Sequence, residues 1–189
     1  MTGLRLAPVW SVIGLAIGLS WSLPLSAQTR LPTQSIDAFG QEVILPARPI
    51  IYVAGSGTWE GALETLTGAF KRLGGYLDKA GLKASGPPMT IYTATTNTDF
   101  KFEAAVPLAA APKAPADRDI MVGESPSGKA LKFVHRGTFR DLGQTYEAIA
   151  NFFDAKGLDI KGVLIEEYVT DLASEPETKL VVNVFVPPR

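Results

Sequence analysis

The feature that most constrains the fold of this chain is an internal repeat. At an offset of 76 residues, apolar and aromatic positions of the first half fall on similar positions of the second. These pairs are Leu66 and Leu142, Phe70 and Tyr146, Leu73 and Ile149, Tyr76 and Phe152, Leu77 and Phe153, and Tyr92 and Tyr168. At an offset of 80, Val106-Pro107 recurs as Val186-Pro187. We therefore expect two copies of one unit, with the differences in length confined to loops.

Each copy predicts the element order strand, helix, strand, strand. In the first copy, apolar residues recur at three- and four-residue intervals between residues 60 and 80, which is typical of one buried helical face. Runs rich in β-branched and aromatic residues at 50–53, 89–93 and 100–106 predict its strands. The second copy repeats this order, with strands at 131–134 and 163–169 around a helix at 141–155 and a last strand ending at Pro187.

Neither copy alone could bury both its helix and its sheet, so the two copies must pair. The predicted fold class is α+β: two pseudo-symmetric βαββ repeats form a joint antiparallel sheet. We expect both helices to cover one face of this sheet. The ligand groove is then expected on the other face, along the pseudo-twofold line between the repeats.

The repeats also set the predicted domain boundaries. The first copy spans about 50–108 and the second about 121–188, within one domain at 49–188. The segment 109–120, rich in alanine and proline, is predicted to be a low-complexity linker between them. Residues 28–48 are expected to form a leader segment with a short strand at 41–45.

The first 27 residues predict export from the cytoplasm. Arg5 gives a short positive start, residues 6–25 carry no charge, and Leu25-Ser26-Ala27 resembles a small-residue cleavage site. We expect a signal peptide at 1–27, cleaved before Gln28, and a periplasmic product without membrane association. The alternative is an uncleaved helix that anchors the protein, because about 20 apolar residues can span a bilayer.

Composition excludes several kinds of partner and site. The formal net charge is −1, so the chain lacks the surplus of Lys and Arg that nucleic-acid binding requires. It contains no cysteine and one histidine, His135, so no disulfide and no Cys- or His-rich metal site can form. We expect a small molecule as the partner, and no nucleic acid, metal or cofactor.

The strand at 163–169 carries two carboxylates inside an apolar run. Because side chains alternate along a strand, Glu166 shares a face with Tyr168, whereas Glu167 shares the other with Ile165 and β-branched neighbours. We expect the β-branched face to pack against the helices, which leaves Glu166 in the groove. Glu167 is then expected near the strand's frayed or edge region, where it can reach water or a Lys. The alternative for Glu166 is an exposed sheet position.

Four segments together resemble a known family. They are His135-Arg136-Gly137-Thr138-Phe139, Tyr146, Ile165-Glu166-Glu167-Tyr168 and Val184-Phe185-Val186-Pro187. In this order they are similar to the GyrI-like, or AraC/MerR-type, effector-binding domain of the SOUL-type superfamily, over roughly residues 50–188. The resemblance implies that Glu166 lies at the bottom of an apolar, aromatic-lined pocket and meets cationic or polar parts of ligands. Unlike the family's regulators, this sequence shows an export signal and no helix-turn-helix.

The candidate ligand-binding residues are Glu166, Tyr168, Tyr92, Trp59, Phe139 and Tyr146. Tyr92 and Tyr168 are equivalent in the repeat, and Thr90 stands where Glu166 stands in the second copy, so a single acidic site is expected. The alternatives are ordinary packing for the tyrosines and, for Trp59 and Phe139, the hydrophobic staple at each helix start.

Several functions are compatible with these residues. The first is binding of a small hydrophobic or cationic molecule in the cell envelope, in an aromatic-lined groove with an acidic residue. The second is hydrolysis, with Glu166 as a general base toward water. A peptide-binding module and a haem-binding module, with His135 as axial ligand, are further alternatives. The sequence favours binding, because it offers Glu166 only Tyr168 and Thr90 as polar partners, and we assign no catalytic residue.

Overall fold

The computed structural model describes residues 39–113, 117–160, 162–172 and 179–189. The predicted signal peptide, most of the leader segment, and parts of the linker and of the last hairpin lie outside these ranges. Within them, no helix is both long enough and apolar enough to cross a membrane.

Eight strands and two helices make up the described chain, in the order that the repeat predicts. They are β1 (Gln41–Leu45), β2 (Pro49–Thr58), α1 (Ala62–Ala80), β3 (Met89–Thr95), β4 (Asp99–Pro107), β5 (Met121–Glu124), β6 (Gly128–Gly137), α2 (Leu142–Lys156), β7 (Leu164–Tyr168) and β8 (Leu180–Val186). Only β5 was not predicted. It is a four-residue strand whose sequence, MVGE, has no clear alternation.

The strands form one antiparallel sheet in the order β1-β6-β8-β7-β3-β4-β2-β5. At its centre β3 pairs with β7, with Thr90 opposite Glu166 and Ile91 opposite Ile165. Three strands lie on each side of this pair in matching order, so the pseudo-twofold axis passes between β3 and β7. The α+β prediction, with two βαββ repeats sharing one sheet, is therefore confirmed.

The strand register shows that both helices cover the same face. Directly opposed residues of an antiparallel pair point to one side. The register links Val53, Ala104, Thr90, Glu166, Val184 and Phe133 in one row across six strands. Helix α1 packs in the core cluster that contains Val53 and Ala104, and α2 packs in the cluster that contains Phe133 and Val184. Glu166 therefore lies on the helix-bearing face.

The opposite face is closed by curvature of the sheet. Strand β1, at one edge, continues into β2 after residues 46–48, and β5, at the other edge, continues into β6 after residues 125–127. Because such a connection spans at most about 14 Å, the two edges must lie close together. The N–H of Arg48 donates to Ser125 Oγ (3.1 Å), and the N–H of Ser125 donates to the carbonyl of Arg48 (2.8 Å).

Side chains fill the inside of this curve. The buried cluster there consists of Ile50, Met89, Ile91, Ala105, Ala130, Ile165 and Phe185. A cavity of only about 20 Å³ borders it. The predicted groove on the face opposite the helices is therefore not found in the described residues: side chains fill that face, and a larger cavity lies on the helix-bearing face.

The helices correct one detail of the repeat. The helix starts, Ala62 and Leu142, are 80 residues apart, whereas the C-terminal caps, Gly81 and Gly157, are 76 apart. Helix α1 is thus four residues longer, about one turn, and a one-turn difference keeps the same face toward the sheet. The differences in length between the repeats are therefore not confined to loops. Counted from the helix starts, Tyr146 is equivalent to Leu66, whereas the offset of 76 paired it with Phe70.

Candidate functional site

A cavity of about 800 Å³ lies where the N-terminal ends of the two helices approach the centre of the sheet. It is lined by Trp59, Glu60, Ala62, Leu63, Tyr92, Thr95, Thr96, Phe139, Arg140, Leu142, Gly143, Tyr146, Leu164 and Glu166. Both repeats contribute to the lining, so the site exists only because the two copies share one sheet. Five of the six predicted site residues border it, and the sixth, Tyr168, reaches the same carboxylate.

Glu166 is fully buried at the floor of this cavity, with 0% of its surface exposed. Three phenols donate hydrogen bonds to its carboxylate. Tyr92 donates to Oε2 at 3.0 Å, Tyr168 donates to the same oxygen, and Tyr146 donates to Oε1. Tyr92 lies on β3, Tyr168 on β7 and Tyr146 on α2, so the carboxylate links α2 to the central strands of both repeats.

Thr90 completes the network from the opposite strand. Its Oγ1 lies 3.0 Å from the hydroxyl oxygen of Tyr168. Because Tyr168 has a single hydroxyl proton, which it donates to Glu166, Thr90 must be the donor between these two residues. The chain of donors therefore runs from Thr90 through Tyr168 to the carboxylate.

Burial raises the pKa of Glu166 above its ordinary value, because desolvation disfavours the charged form. The hydrogen bonds from the three phenols, and to a lesser extent the charge of His135, lower the pKa and oppose this rise without cancelling it. Burial, and then the charge of Glu166, raise the pKa of each tyrosine well above its usual range, so the phenols remain protonated donors.

The site is asymmetric although the fold is nearly symmetric. The contact between Tyr92 and Glu166 has a pseudo-symmetric counterpart between Tyr168 and Thr90. The position of Tyr146 in α2 corresponds to Leu66 in α1, which is fully buried in the apolar core. The second repeat therefore supplies the carboxylate of Glu166 and the phenol of Tyr146, whereas the first repeat has Thr90 and Leu66 at the equivalent positions.

Trp59 and Phe139 occupy equivalent positions before the two helices and form part of the cavity wall. Trp59 is 37% exposed, stacks on Phe100 (ring centroids 4.7 Å apart) and Tyr92 (5.6 Å), and donates its indole N–H to the carbonyl of Thr96 at 2.9 Å. Its ring is therefore held in place with one part open to the cavity. Phe139 is half-buried and contacts the apolar clusters under both helices.

His135 is buried on the helix-bearing face, where both ring nitrogens have partners. Nε2 donates to the carbonyl of Thr138 at 2.9 Å, and Nδ1 lies 2.8 Å from Thr145 Oγ1. Neither nitrogen is available to a haem iron, which argues against the haem-binding hypothesis. Within the described residues, no group of three or more His, Cys, Asp and Glu side chains is placed to hold a metal ion.

Glu167 points to the other face of the sheet, as the alternation of β7 predicts. Its carboxylate forms a salt bridge with Arg48 at 3.1 Å and accepts a hydrogen bond from Asn183 at 3.0 Å. The side chain is 14% exposed, and β7 lies at the centre of the sheet. The expectation that Glu167 lies near a strand edge is therefore wrong, because Arg48 supplies a partner in the interior.

The sequence reasoning missed several wall residues. Leu164 shares the face of Glu166 by strand alternation, which would have identified it. Glu60, Arg140 and Gly143 lie next to Trp59 and Phe139 at the helix starts, and the same repeat would have pointed to them. Thr95 and Thr96 follow a β-bulge after Tyr92, which no sequence pattern indicated.

Comparison with known proteins identifies relatives of this architecture. The sequence model of one family, the GyrI-like small molecule binding domain, matches residues 41–189. No curated protein sequence matches the chain significantly.

Among solved structures, the C-terminal domain of EcmrR superposes with a TM-score of 0.66 at 14% identity, over 79% of this chain and 98% of that domain. EcmrR in its DNA complex gives 0.68 at 14% identity, and the aligned region spans 79% of this chain but only 57% of the EcmrR chain. A hydrolase from Listeria innocua gives 0.57 at 10% identity, covering 80% and 92% of the two chains. SAV2435 bound to tetraphenylphosphonium gives 0.56 at 14% identity, covering 79% and 93%.

Proposed function

Because the chain belongs to the GyrI-like small molecule binding domain family, we propose that the cavity between its helices binds a hydrophobic organic cation, with Glu166 as the counter-charge. The proposal assigns three roles. Glu166 attracts the positive charge, Tyr92, Tyr146 and Tyr168 hold the carboxylate in place, and Trp59 and Phe139 contact the apolar part of the ligand.

The observation that carries the proposal is a fully buried carboxylate whose hydrogen-bond donors are all uncharged. An isolated buried charge is costly, and natural proteins usually pair it with a cation. The phenols donate to both oxygens but carry no positive charge, and the charge of His135 lowers the pKa of Glu166 less than any of the phenols does. A cation in the adjacent cavity would supply the missing charge, so the site favours such a ligand over a neutral or anionic one.

The cavity wall suits the apolar part of the same ligand. Aromatic faces attract cations by cation–π interaction, and flat hydrocarbon groups pack well against them. A volume of about 800 Å³ lies within the usual range of drug-sized sites, about 300–1,000 Å³. SAV2435, which shares the fold, binds tetraphenylphosphonium, a cation of this kind.

Hydrolysis is the second candidate, and the similar fold of a Listeria innocua hydrolase motivates it. A general base must place a free oxygen lone pair within hydrogen-bond reach of the attacking water. In Glu166, Tyr92 and Tyr168 donate to Oε2 and Tyr146 donates to Oε1, so one acceptor site remains on Oε1, but no part of the residue is exposed to an attacking water. This arrangement supports binding over catalysis.

We also propose that the protein acts in the cell envelope. The support is the uncharged stretch at residues 6–25 followed by Leu25-Ser26-Ala27. Expression of the full chain in a Gram-negative host should yield periplasmic protein that begins at Gln28. Intact protein recovered only from membranes, with its first 27 residues, would indicate an anchor instead.

Calorimetric titration with tetraphenylphosphonium tests the binding proposal. The Glu166→Gln variant keeps the shape of the side chain and removes its charge, so affinity should fall. The matched control is Glu167→Gln, which removes a neighbouring charge on the other face and should leave affinity unchanged. Equal affinity of the wild type and Glu166→Gln would refute the proposal.

A further inference from the structure

Two charged residues of opposite sign stand at equivalent positions beside the cavity. Glu60 follows Trp59 at the start of α1, and Arg140 follows Phe139 at the start of α2, 80 residues later. Both side chains are exposed and line the cavity. In the part of the chain that the structure describes, neither takes part in a salt bridge or a side-chain hydrogen bond. The mouth of the cavity is therefore polarised, with one negative side and one positive side.

The two helix starts differ in charge. The start of α1 carries two carboxylates, Glu60 and, in the first turn, Glu64, and no basic residue. The start of α2 carries Asp141 as its N-cap, which offsets the helix dipole, but it also carries Arg140 and has no acidic residue in its first turn. The α2 side of the mouth is therefore the less negative side, and the cation that lines the cavity there is Arg140.

The cavity wall is also more open on the α2 side. There the wall residue is Gly143, where a Cβ atom would meet nothing within 4 Å, whereas Leu63 fills the matching position in α1. Part of a bound ligand that extends out of the cavity therefore has room beside Gly143 and would pass close to Arg140. A purely cationic ligand gains nothing from Arg140, which would repel it.

On the basis of the proposed function, we infer that the ligand is a zwitterion. Its hydrophobic cationic centre lies against Glu166, and an anionic oxygen group, such as a carboxylate on a short chain, extends past Gly143 to Arg140. The floor and the mouth of the cavity then each meet a group of opposite charge. Such a ligand gives an ionic partner to Glu166 and to Arg140, while Glu60 stays exposed to solvent at the mouth.

A matched pair of probes tests this inference. Pentyltriphenylphosphonium and (carboxybutyl)triphenylphosphonium share the cation, the aryl groups and a chain of similar length, and they differ in the terminal carboxylate. The wild type should bind the carboxylate probe about two- to fivefold more tightly, as expected for one exposed ion pair, although its net charge is zero. This preference should weaken as the salt concentration rises.

The Arg140→Gln variant gives the decisive comparison. It should weaken binding of the carboxylate probe and leave binding of the pentyl probe unchanged or slightly stronger, so the two affinities respond differently to one substitution. Glu60→Gln is the matched control at the equivalent position, and it should keep the preference. Arg140 and Glu60 are both exposed, so neither change should affect folding.

The outcomes separate this inference from the proposed function. If both probes bind, both lose affinity in Glu166→Gln, and Arg140→Gln leaves their ratio unchanged, the zwitterion is refuted while the cation site stands. If neither probe binds the wild-type protein, the proposed function fails and the inference fails with it.

Discussion

Replacing Glu166 by Gln should make the free energy of unfolding of the unliganded protein less dependent on pH, so the variant gains stability relative to the wild type as the pH rises. Because the pKa of Glu166 is raised in the folded state, the folded protein holds this proton more tightly than the unfolded chain, where the value is near 4.5. The folded state therefore binds more protons between the unfolded and the folded pKa. In that window the wild type loses stability as pH rises, by up to about 1.4 kcal/mol per pH unit for one proton. The Gln variant has no proton to lose and escapes this term.

The assay is urea unfolding of the wild type and Glu166→Gln between about pH 4 and pH 8. The other titrating groups are common to both proteins, so the difference between the two free energies of unfolding isolates Glu166. Glu147→Gln, an exposed change on α2, repeats the loss of one charge and should shift stability by less than about 0.5 kcal/mol. A difference that stays constant with pH, or that favours the wild type more at high pH, would refute the raised pKa.

Three further predictions follow from the same contacts. Affinity for tetraphenylphosphonium should rise with pH, about tenfold per unit below the folded-state pKa of Glu166. Calorimetry in buffers of different ionisation enthalpy should then detect a proton released from Glu166 on binding. Affinity that is constant with pH would contradict this. Thr90→Val removes the donor to Tyr168 and should cost about 0.5–1.5 kcal/mol of unfolding free energy, whereas Thr93→Val, an exposed change on the same strand, should cost little. Gly40→Ala should lower the free energy of unfolding by about 1–3 kcal/mol, because Gly40 has φ +79° and an added Cβ would lie 2.5 Å from the ring of Phe152. Gly74→Ala, in open space on α1, should raise it by about 0.5–1 kcal/mol. A higher melting temperature for Gly40→Ala than for Gly74→Ala would contradict both expectations.

The sequence predicted the elements and their pairing because these depend on local pattern. Apolar spacing identified both helices, and the repeat placed Tyr92 and Tyr168 at equivalent points of strands that the structure pairs. Alternation along β7 correctly separated Glu166 from Glu167. These signals extend over a few residues or over one repeat, so a single sequence contains them.

The choice of sheet face could not be made from the same signals. The prediction placed the β-branched side of β7 against the helices, but Ile165 is buried on the other side, inside the curve of the sheet. Both faces of β7 are therefore buried, and residue type does not distinguish them. The curvature follows from the short connections at 46–48 and 125–127, which act between opposite edges of the sheet. It also brings Arg48 to Glu167, a pair 119 residues apart in sequence.

The asymmetry of the site follows from the position of the pseudo-twofold axis. Thr90 and Glu166 are equivalent in the repeat and directly opposed across the central strand pair. A second Glu at position 90 would place two fully buried carboxylates side by side, and two like charges at that separation cannot both stay ionised. Threonine avoids this conflict and donates to Tyr168, which lets Tyr168 use its own proton for Glu166. A duplicated sheet with its site on the symmetry axis can thus hold one buried negative charge, and this chain places it in the second repeat.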